Sequence, residues 1–344
     1  MPNLSFKEVA RTLVAIPVLP WGLLVYWFTG KTSPRAYQAF IWLFCITGGR
    51  LNAVLSWFIS RLNPPTPIDK PTGVLGDLSV HASQQINQKL HRDGYVVFER
   101  ALSPEACDRL LEFANTTPTK LRKMDGEVDK PTARTATFDG RNPSAVRYDY
   151  DPAALLDNPD VQTLLADQSL LHVVQEYLRC QPVADVLSMW WHTNFHLQPD
   201  SEAAQYYHFD MDRIKWLKVF IYLTDVGPEN GPHSFVVGSH RIGGIPWYLR
   251  RKGYVRLTDE EVKGNYGSER CKAMIATRGS IIIEDTAGLH KGNTVVADSR
   301  LILQLQFSNS LFGAYYPPAR VSAIHSPAFR QRLTERPKTY RQYA

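Results

Sequence analysis

Arg300-Leu-Ile-Leu-Gln-Leu-Gln-Phe307 reads as a strand with two unlike faces. Side chains alternate across a strand, so Arg300, Ile302, Gln304 and Gln306 share one face, and Leu301, Leu303, Leu305 and Phe307 share the other. The second face must pack on a core. The first, headed by an arginine, must look into something polar. A buried guanidinium without an anion is costly, and its planar fork matches a carboxylate. Taken alone, Arg300 is more simply an ion-pair partner for an acidic side chain.

Outward from this strand the same grammar repeats. Short β-rich runs at 186–197, 217–224, 234–237, 273–276 and 280–284 are separated by turn residues. Many short strands with Gly- and Pro-marked turns predict an all-β sandwich, barrel or jelly roll beyond Val183. Upstream, 84–92 and 160–178 carry helical patterns, Tyr95-Val-Val-Phe98 a strand, and Ser103-Pro104 a helix start. The polar stretch 116–150 reads as a substrate lid or a plain surface connection.

The amino terminus has another character. Residues 12–30 carry no charge and approach the ~20 residues that span a bilayer, but Pro17, Pro20 and Gly22 interrupt them and argue against a straight span. Ser33-Pro34 opens a second apolar stretch running to about residue 60, weakened at Gly48-Gly49 and carrying Arg50. Leu51, Val54, Leu55, Phe58 and Ile59 fall on one helical face within it. Dense Trp, Phe, Leu and Ile, bordered by Lys31, Arg35, Arg50 and Arg61, favour a membrane-embedded or membrane-lying hairpin over helices packed on a catalytic domain. The expected organisation is an apolar helical, membrane-associated segment at 1–61, a proline-rich linker at 62–75, a catalytic domain at 76–325 and a basic tail at 326–344.

Bulk numbers bound the rest. The 344 residues are 44% hydrophobic and 21% charged, the composition of a folded protein. The net charge of +6 is spread along the chain, so a nucleic-acid partner is not expected. Four cysteines, at 45, 107, 180 and 271, form no CxxC pair and suit a reducing compartment. The expected location is therefore a membrane with the catalytic domain on its cytosolic side, or otherwise the cytoplasm.

Chemistry concentrates in Tyr206-Tyr-His-Phe-Asp-Met211. Two residues apart on a strand, His208 and Asp210 can approach one metal from the same side. A second histidine would complete a set that binds Fe(II) through one face and leaves three positions open. An isolated HxD is weak evidence and needs that third ligand. His240 and His290 are the candidates; His290 follows a buried-looking strand and a short turn, and Arg300, ten residues later, can receive a carboxylate, so the pair explains more than His240 does. His192 and His196 read as strand positions with satisfied hydrogen bonds, and Trp190, Trp191 and Phe195 as core or pocket lining.

The constellation resembles the phytanoyl-CoA dioxygenase family of Fe(II)/2-oxoglutarate oxygenases. The resemblance runs from His91-Arg-Asp-Gly-Tyr-Val-Val-Phe98 through His208-Phe-Asp210, the strand 217–226, Glu229-Asn-Gly-Pro232, Gly238-Ser-His240 and Arg278-Gly-Ser-Ile-Ile-Ile-Glu-Asp285 to His290 and Arg300. It implies a double-stranded β-helix, or jelly roll, with helices packed outside. It assigns His208, Asp210 and His290 to iron and Arg300 to the distal carboxylate of 2-oxoglutarate. The implied reaction consumes 2-oxoglutarate and O2, releases succinate and CO2, and hydroxylates a small organic substrate. Val237 and His233 depart from the family pattern in what reads as a loop; Asp210 stands where halogenating members have a small residue. The apolar amino terminus favours a lipid-like substrate and a membrane surface as partner. Two rivals remain. One is a zinc hydrolase whose metal is held by two histidines and a carboxylate, which gives Arg300 no role. The other is a non-catalytic jelly-roll binding protein.

Overall fold

The alternation at 300–307 organises the molecule. The computed structural model describes residues 4–122, 134–199, 201, 203–251, 253 and 256–344. After the small hairpin β1 (Thr72–Gly73) and β2 (Gly76–Asp77), the strands are β3 (Tyr95–Phe98), β4 (Thr119–Arg122), β5 (Thr135–Ala136), β6 (Arg147–Tyr150) and β7 (Val183–Thr193). Then come β8 (Trp216–Tyr222), β9 (His233–Val236), β10 (Cys271–Met274), β11 (Ile281–Glu284), β12 (His290–Gly292) and β13 (Ser299–Ser308). Eight pair antiparallel in the order β3-β11-β8-β13-β7-β6-β4-β5, and a second sheet runs β10-β9-β12. This is the jelly roll that the family resemblance implies, one of the all-β folds that the turn-punctuated strands predict.

Each long strand divides its residues between two environments. Leu301, Leu303, Leu305 and Phe307 of β13, with Leu217, Val219 and Ile221 of β8, face a large core under the outer helices. Ile302 of β13, Phe220 and Tyr222 of β8, Trp190 of β7, Ile282 of β11 and Phe235 of β9 fill the space between the sheets. The polar face of β13 therefore lines the interior of the sandwich, where Arg300 is 1% exposed.

The amino-terminal segment departs from expectation. Helix α1 (Phe6–Thr29) is one continuous helix despite Pro17 and Pro20. The prolines forgo bonds to the Leu13 and Ile16 carbonyls, and both prolines lie on its exposed side. Helix α2 (Pro34–Thr47) ends at Gly48, in the left-handed region, and α3 (Arg50–Leu62) leaves it at 116°. Gly22 lets α1 meet α2: a Cβ there would lie 2.2 Å from Ala36 Cβ.

These helices are docked on the sandwich. Phe40, Trp42 and Phe44 of α2 are buried in one cluster with Tyr207, Phe209, Met211, Ile214 and Phe312, each such side chain contributing about 1.5–3 kcal/mol. Asn52 donates to the Ile214 carbonyl at 3.1 Å, Asn309 to Ser56 at 3.2 Å, and Leu311 N–H to the Tyr26 hydroxyl at 3.0 Å. The proline-rich stretch is likewise strapped down, with Gln175 bonding both backbone groups of Thr66 at 3.2 and 3.0 Å. The expected basic tail forms a helix, Pro327–Glu335, and returns Phe329, Tyr340 and Tyr343 to the main core.

Helices α4 (Val80–Asp93), α5 (Pro104–Thr116), α6 (Pro152–Leu156), α7 (Pro159–Leu165) and α8 (Gln168–Leu178) cover the large sheet. The single helix expected at 160–178 is split because Asp167 caps α8, accepting from Leu170 N–H at 2.9 Å. The polar stretch 116–150 contributes the short strands β4, β5 and β6 to the edge of the large sheet; its part at 123–133 lies outside the described residues.

Candidate metal centre

The segment carrying His208 and Asp210 is an extended edge tied at single points rather than a regular strand. Tyr207 pairs with Leu257 and His208 with His290, and Asp210 N–H donates to the Thr286 carbonyl at 2.9 Å. The His208–His290 pairing, 3.0 and 2.9 Å between backbone groups, sets the two imidazoles side by side with ring centroids 4.3 Å apart.

Each ring is oriented by its own backbone. His208 Nδ1 lies 2.8 Å from the Tyr206 carbonyl and His290 Nδ1 lies 2.9 Å from the Gly288 carbonyl. A carbonyl only accepts, so Nδ1 carries the hydrogen and Nε2 keeps its lone pair free. Both Nε2 atoms point at Asp210: 3.8 Å from His208 to Oδ1 and 3.4 Å from His290 to Oδ2. Ligand atoms from the three residues lie within 4.8 Å of one another. Adjacent donors about 2.1 Å from a metal lie roughly 3 Å apart, so the set needs only slight contraction to hold one ion. Two imidazoles and one carboxylate fit Fe(II). His240 lies elsewhere, beside Gly94.

The electrostatics of His208 and Asp210 match this use, whereas a metal would have to compete with a proton at His290. Burial, reinforced by the neighbouring His290, pulls the His208 pKa down to about 3, keeping the ring neutral. Burial would raise Asp210, but the Lys218 ammonium and His290 outweigh it and hold the carboxyl well below its usual range. His290 is raised, because Asp210 more than offsets the burial. Lys218 Nζ donates to Asp210 Oδ2 at 2.6 Å and reaches Asp212 Oδ2 at 3.4 Å.

Two residues beyond His290, Gly292 faces a second buried cation, Arg300. Arg300 Nη2 is 2.7 Å from His192 Nδ1, its cross-strand partner on β7. Arg300 Nε and Nη1 are buried without a well-formed hydrogen bond, although the Tyr222 hydroxyl is close enough to favour the charged guanidinium, and among the described residues Arg300 makes no ion pair, which removes the simpler reading of this residue. Burial brings its pKa down to about 10, leaving the guanidinium charged at neutral pH. Gly292 keeps the approach open, since a Cβ there would lie 3.2 Å from Arg300 Nη2. These donors fit a carboxylate.

Several residues here carried no role in the sequence reading. His192 is a buried neighbour of Arg300, not an ordinary strand histidine, whereas His196 lies beyond the end of β7. His233 is not on a loop: it opens β9, its Nε2 lies 2.9 Å from Glu284 Oε2, and its ring lies 5.6 Å from that of His290. Burial pushes Glu284 up to about 8. A lysine and a glutamate interrupting the apolar strands at 218 and 284 were the available signals. Of the aromatics, Trp190 lies between the sheets, Trp191 packs in the outer core and Phe195 is exposed.

The family model described as Phytanoyl-CoA dioxygenase (PhyH) matches residues 90–300, a span that contains all four of these positions. Among solved structures, the chain is similar to apo EctD from S. alaskensis, with 18% identity over 78% of this chain and 92% of that one and a TM-score of 0.47. It is also similar to HygX from Streptomyces hygroscopicus with nickel, 2-oxoglutarate and hygromycin B bound, at 14% identity, 72% and 92% coverage and a TM-score of 0.46. A third is the epimerase SnoN from nogalamycin biosynthesis, in complex with Fe3+, alpha ketoglutarate and nogalamycin RO, at 15%, 67%, 84% and 0.45. A search of curated proteins finds no match. The family match spans more than half of the sequence, and the chain belongs to the phytanoyl-CoA dioxygenase family of Fe(II)- and 2-oxoglutarate-dependent dioxygenases.

Proposed function

We propose that this dioxygenase hydroxylates a small, lipid-like substrate at a membrane surface, with His208, Asp210 and His290 holding Fe(II) and Arg300 receiving the far carboxylate of 2-oxoglutarate. The observation that carries the site is the convergence of three ligand side chains beside a buried arginine with two nitrogens that make no well-formed hydrogen bond. When bound, iron supplies the activation of O2, with 2-oxoglutarate giving up two electrons. The balance is substrate, O2 and 2-oxoglutarate in, hydroxylated substrate, succinate and CO2 out.

The chain's residues supply position. His192 orients the Arg300 fork from β7, and Lys218 fixes Asp210 so that its carboxylate faces both imidazoles. Trp190, Phe220 and Ile302 keep the neighbouring interior apolar, which strengthens the charge interactions within it. The unpaired arginine favours this reading over a zinc hydrolase, which has no use for a second carboxylate site.

The membrane part rests on α1 and α3. Leu13, Val14, Trp21, Trp27 and Phe28 on α1 and Trp57 and Phe58 on α3 are all more than half exposed. Because α2 is anchored in the catalytic domain, α1 lies along the protein and presents this face in the plane of an interface rather than across it. Apolar insertion is worth about 1.5–3 kcal/mol per large side chain, against about 1 kcal/mol for a basic residue near an anionic surface. Binding should therefore resist salt. The cysteines are all free thiols and fit a cytosolic side.

The test is to offer iron-loaded protein a membrane lipid extract and, separately, a water-soluble metabolite extract. Succinate release coupled to a one-oxygen mass gain in a lipid is expected. Turnover with soluble metabolites alone would contradict the lipid assignment.

A further inference from the structure

A cavity of about 1000 Å³ lies between α3 and the catalytic domain, and none of the four residues of the metal centre lines it. Its wall is strongly cationic. Arg61 comes from α3, Arg179 from the end of α8, Lys215 from the approach to β8 and Arg241 from the turn after β9, where its Nε and Nη2 donate to the Arg92 carbonyl and fix the guanidinium in place. The one carboxylate in the wall is Asp285. Neutral donors hold both its oxygens, the Tyr177 hydroxyl on Oδ2 at 2.5 Å and Ala287 N–H on Oδ1 at 3.0 Å, so its single negative charge offsets one of the four positive charges.

The positive charge acts on its neighbours. Lys215 Nζ donates to the Tyr177 carbonyl at 2.7 Å, above the Tyr177 ring. Burial, opposed by Asp285 and reinforced by Arg179, pulls its pKa down to about 8. His91, stacked on Tyr177 at 4.6 Å, falls to about 4 through burial and then through Lys215 and Arg179. Cations gathered around a cavity repel one another unless an anion joins them.

The rim of the cavity says where that anion belongs. Trp57 and Ile242 both line the cavity and are 54% and 55% exposed. Trp57 stands beside Phe58 on the face of α3 assigned above to the lipid surface, with its ring centroid 4.9 Å from that of Phe58. Arg61 lies 5.4 Å over the Trp57 ring, so one helix turn offers both an apolar lip and a cation.

We propose that this cavity binds the phosphate headgroup of an anionic membrane lipid, held by Arg61, Arg179, Lys215 and Arg241, with its acyl part leaving past Trp57 and Ile242. The site is separate from the metal centre and selects anionic membranes for the enzyme. It rests on the reading that the amino-terminal helices meet a lipid surface.

The experiment uses the full-length, iron-loaded protein. Binding is measured to vesicles of phosphatidylcholine alone, to the same vesicles doped with phosphatidic acid, to soluble short-chain phosphatidic acid and to inorganic phosphate. Wild type should prefer the doped vesicles and bind the short-chain lipid saturably and more tightly than phosphate. Both Arg61→Gln/Arg179→Gln, which alters exposed side chains only, and Lys215→Gln should weaken the short-chain lipid roughly tenfold and lose the preference for doped vesicles. They should keep wild-type partition to phosphatidylcholine and the wild-type melting temperature in the first case. Unchanged affinity in the exposed double variant overturns the site. Equal binding of inorganic phosphate and lipid, both lost in the variants, overturns the lipid assignment in favour of a free-phosphate site. Variant-sensitive binding of short-chain lipid without wild-type partition to phosphatidylcholine supports the cavity and overturns the membrane-docking reading alone.

Discussion

Lys218 Nζ sits 2.6 Å from Asp210 Oδ2 in the interior of the sandwich, so the carboxylate proposed to hold iron is held in turn by a buried ammonium. The same nitrogen reaches Asp212 at 3.4 Å, and the cation keeps two neighbouring carboxylates compatible. Lys218→Met should free Asp210 to rotate and set two negative charges against each other. Loss of a partner that orients a metal ligand weakens metal affinity by about 10–100-fold. Anaerobic titration with Fe(II) checks this, with Lys218→Arg expected to lose less. Unchanged iron affinity in Lys218→Met would remove the positioning role.

Arg300→Ala should raise the 2-oxoglutarate requirement roughly tenfold to a hundredfold, from loss of a charge-assisted pair worth about 1.5–3 kcal/mol. Iron affinity should stay near wild type, because Arg300 makes no contact with the ligand side chains among those described. Steady-state kinetics in 2-oxoglutarate, paired with iron titration, separate the two effects. An unaltered KM for 2-oxoglutarate would place the carboxylate elsewhere.

Deleting residues 1–61 should destabilise the catalytic domain rather than release it intact. The cut removes Phe40, Trp42 and Phe44 from contact with Phe209, Met211 and Phe312, and the partners of Ile214, Asn309 and Leu311. Phe44 packs 5.7 Å from Phe209, which lies between two candidate iron ligands. A thermal melt and succinate assay of the truncated protein should show aggregation or a strongly lowered Tm, with turnover lost. A truncation that is soluble, melts as wild type and turns over would make the helices an accessory.

Much of the site was legible because it is local in sequence. The HxD spacing at 208–210 and the alternation at 300–307 each encode a direction that a strand translates into a shared face. Lys218, Glu284, His233 and His192 were not legible, because their roles come from register between distant strands. Glu284 stands opposite Lys218, and His192 opposite Arg300, only once β11 pairs β8 and β7 pairs β13. At the amino terminus the covering of α2 was not legible for a different reason. A helix apolar all round, such as α2, has the same composition whether lipid or protein covers it. Here the covering is protein, and only α1 and α3 keep apolar faces open.

The most direct test compares His290→Ala with His240→Ala, measuring bound Fe(II) and iron-dependent succinate formation in each. The two histidines follow similar short turns in the sequence, but only His290 aims Nε2 at Asp210, 3.4 Å away. His290→Ala should lose iron retention and succinate formation, and Asp210→Ala should behave likewise. His240→Ala should keep most of both. Succinate formation surviving in His290→Ala, or abolished in a folded His240→Ala, would contradict the assignment of His208, Asp210 and His290 to the iron.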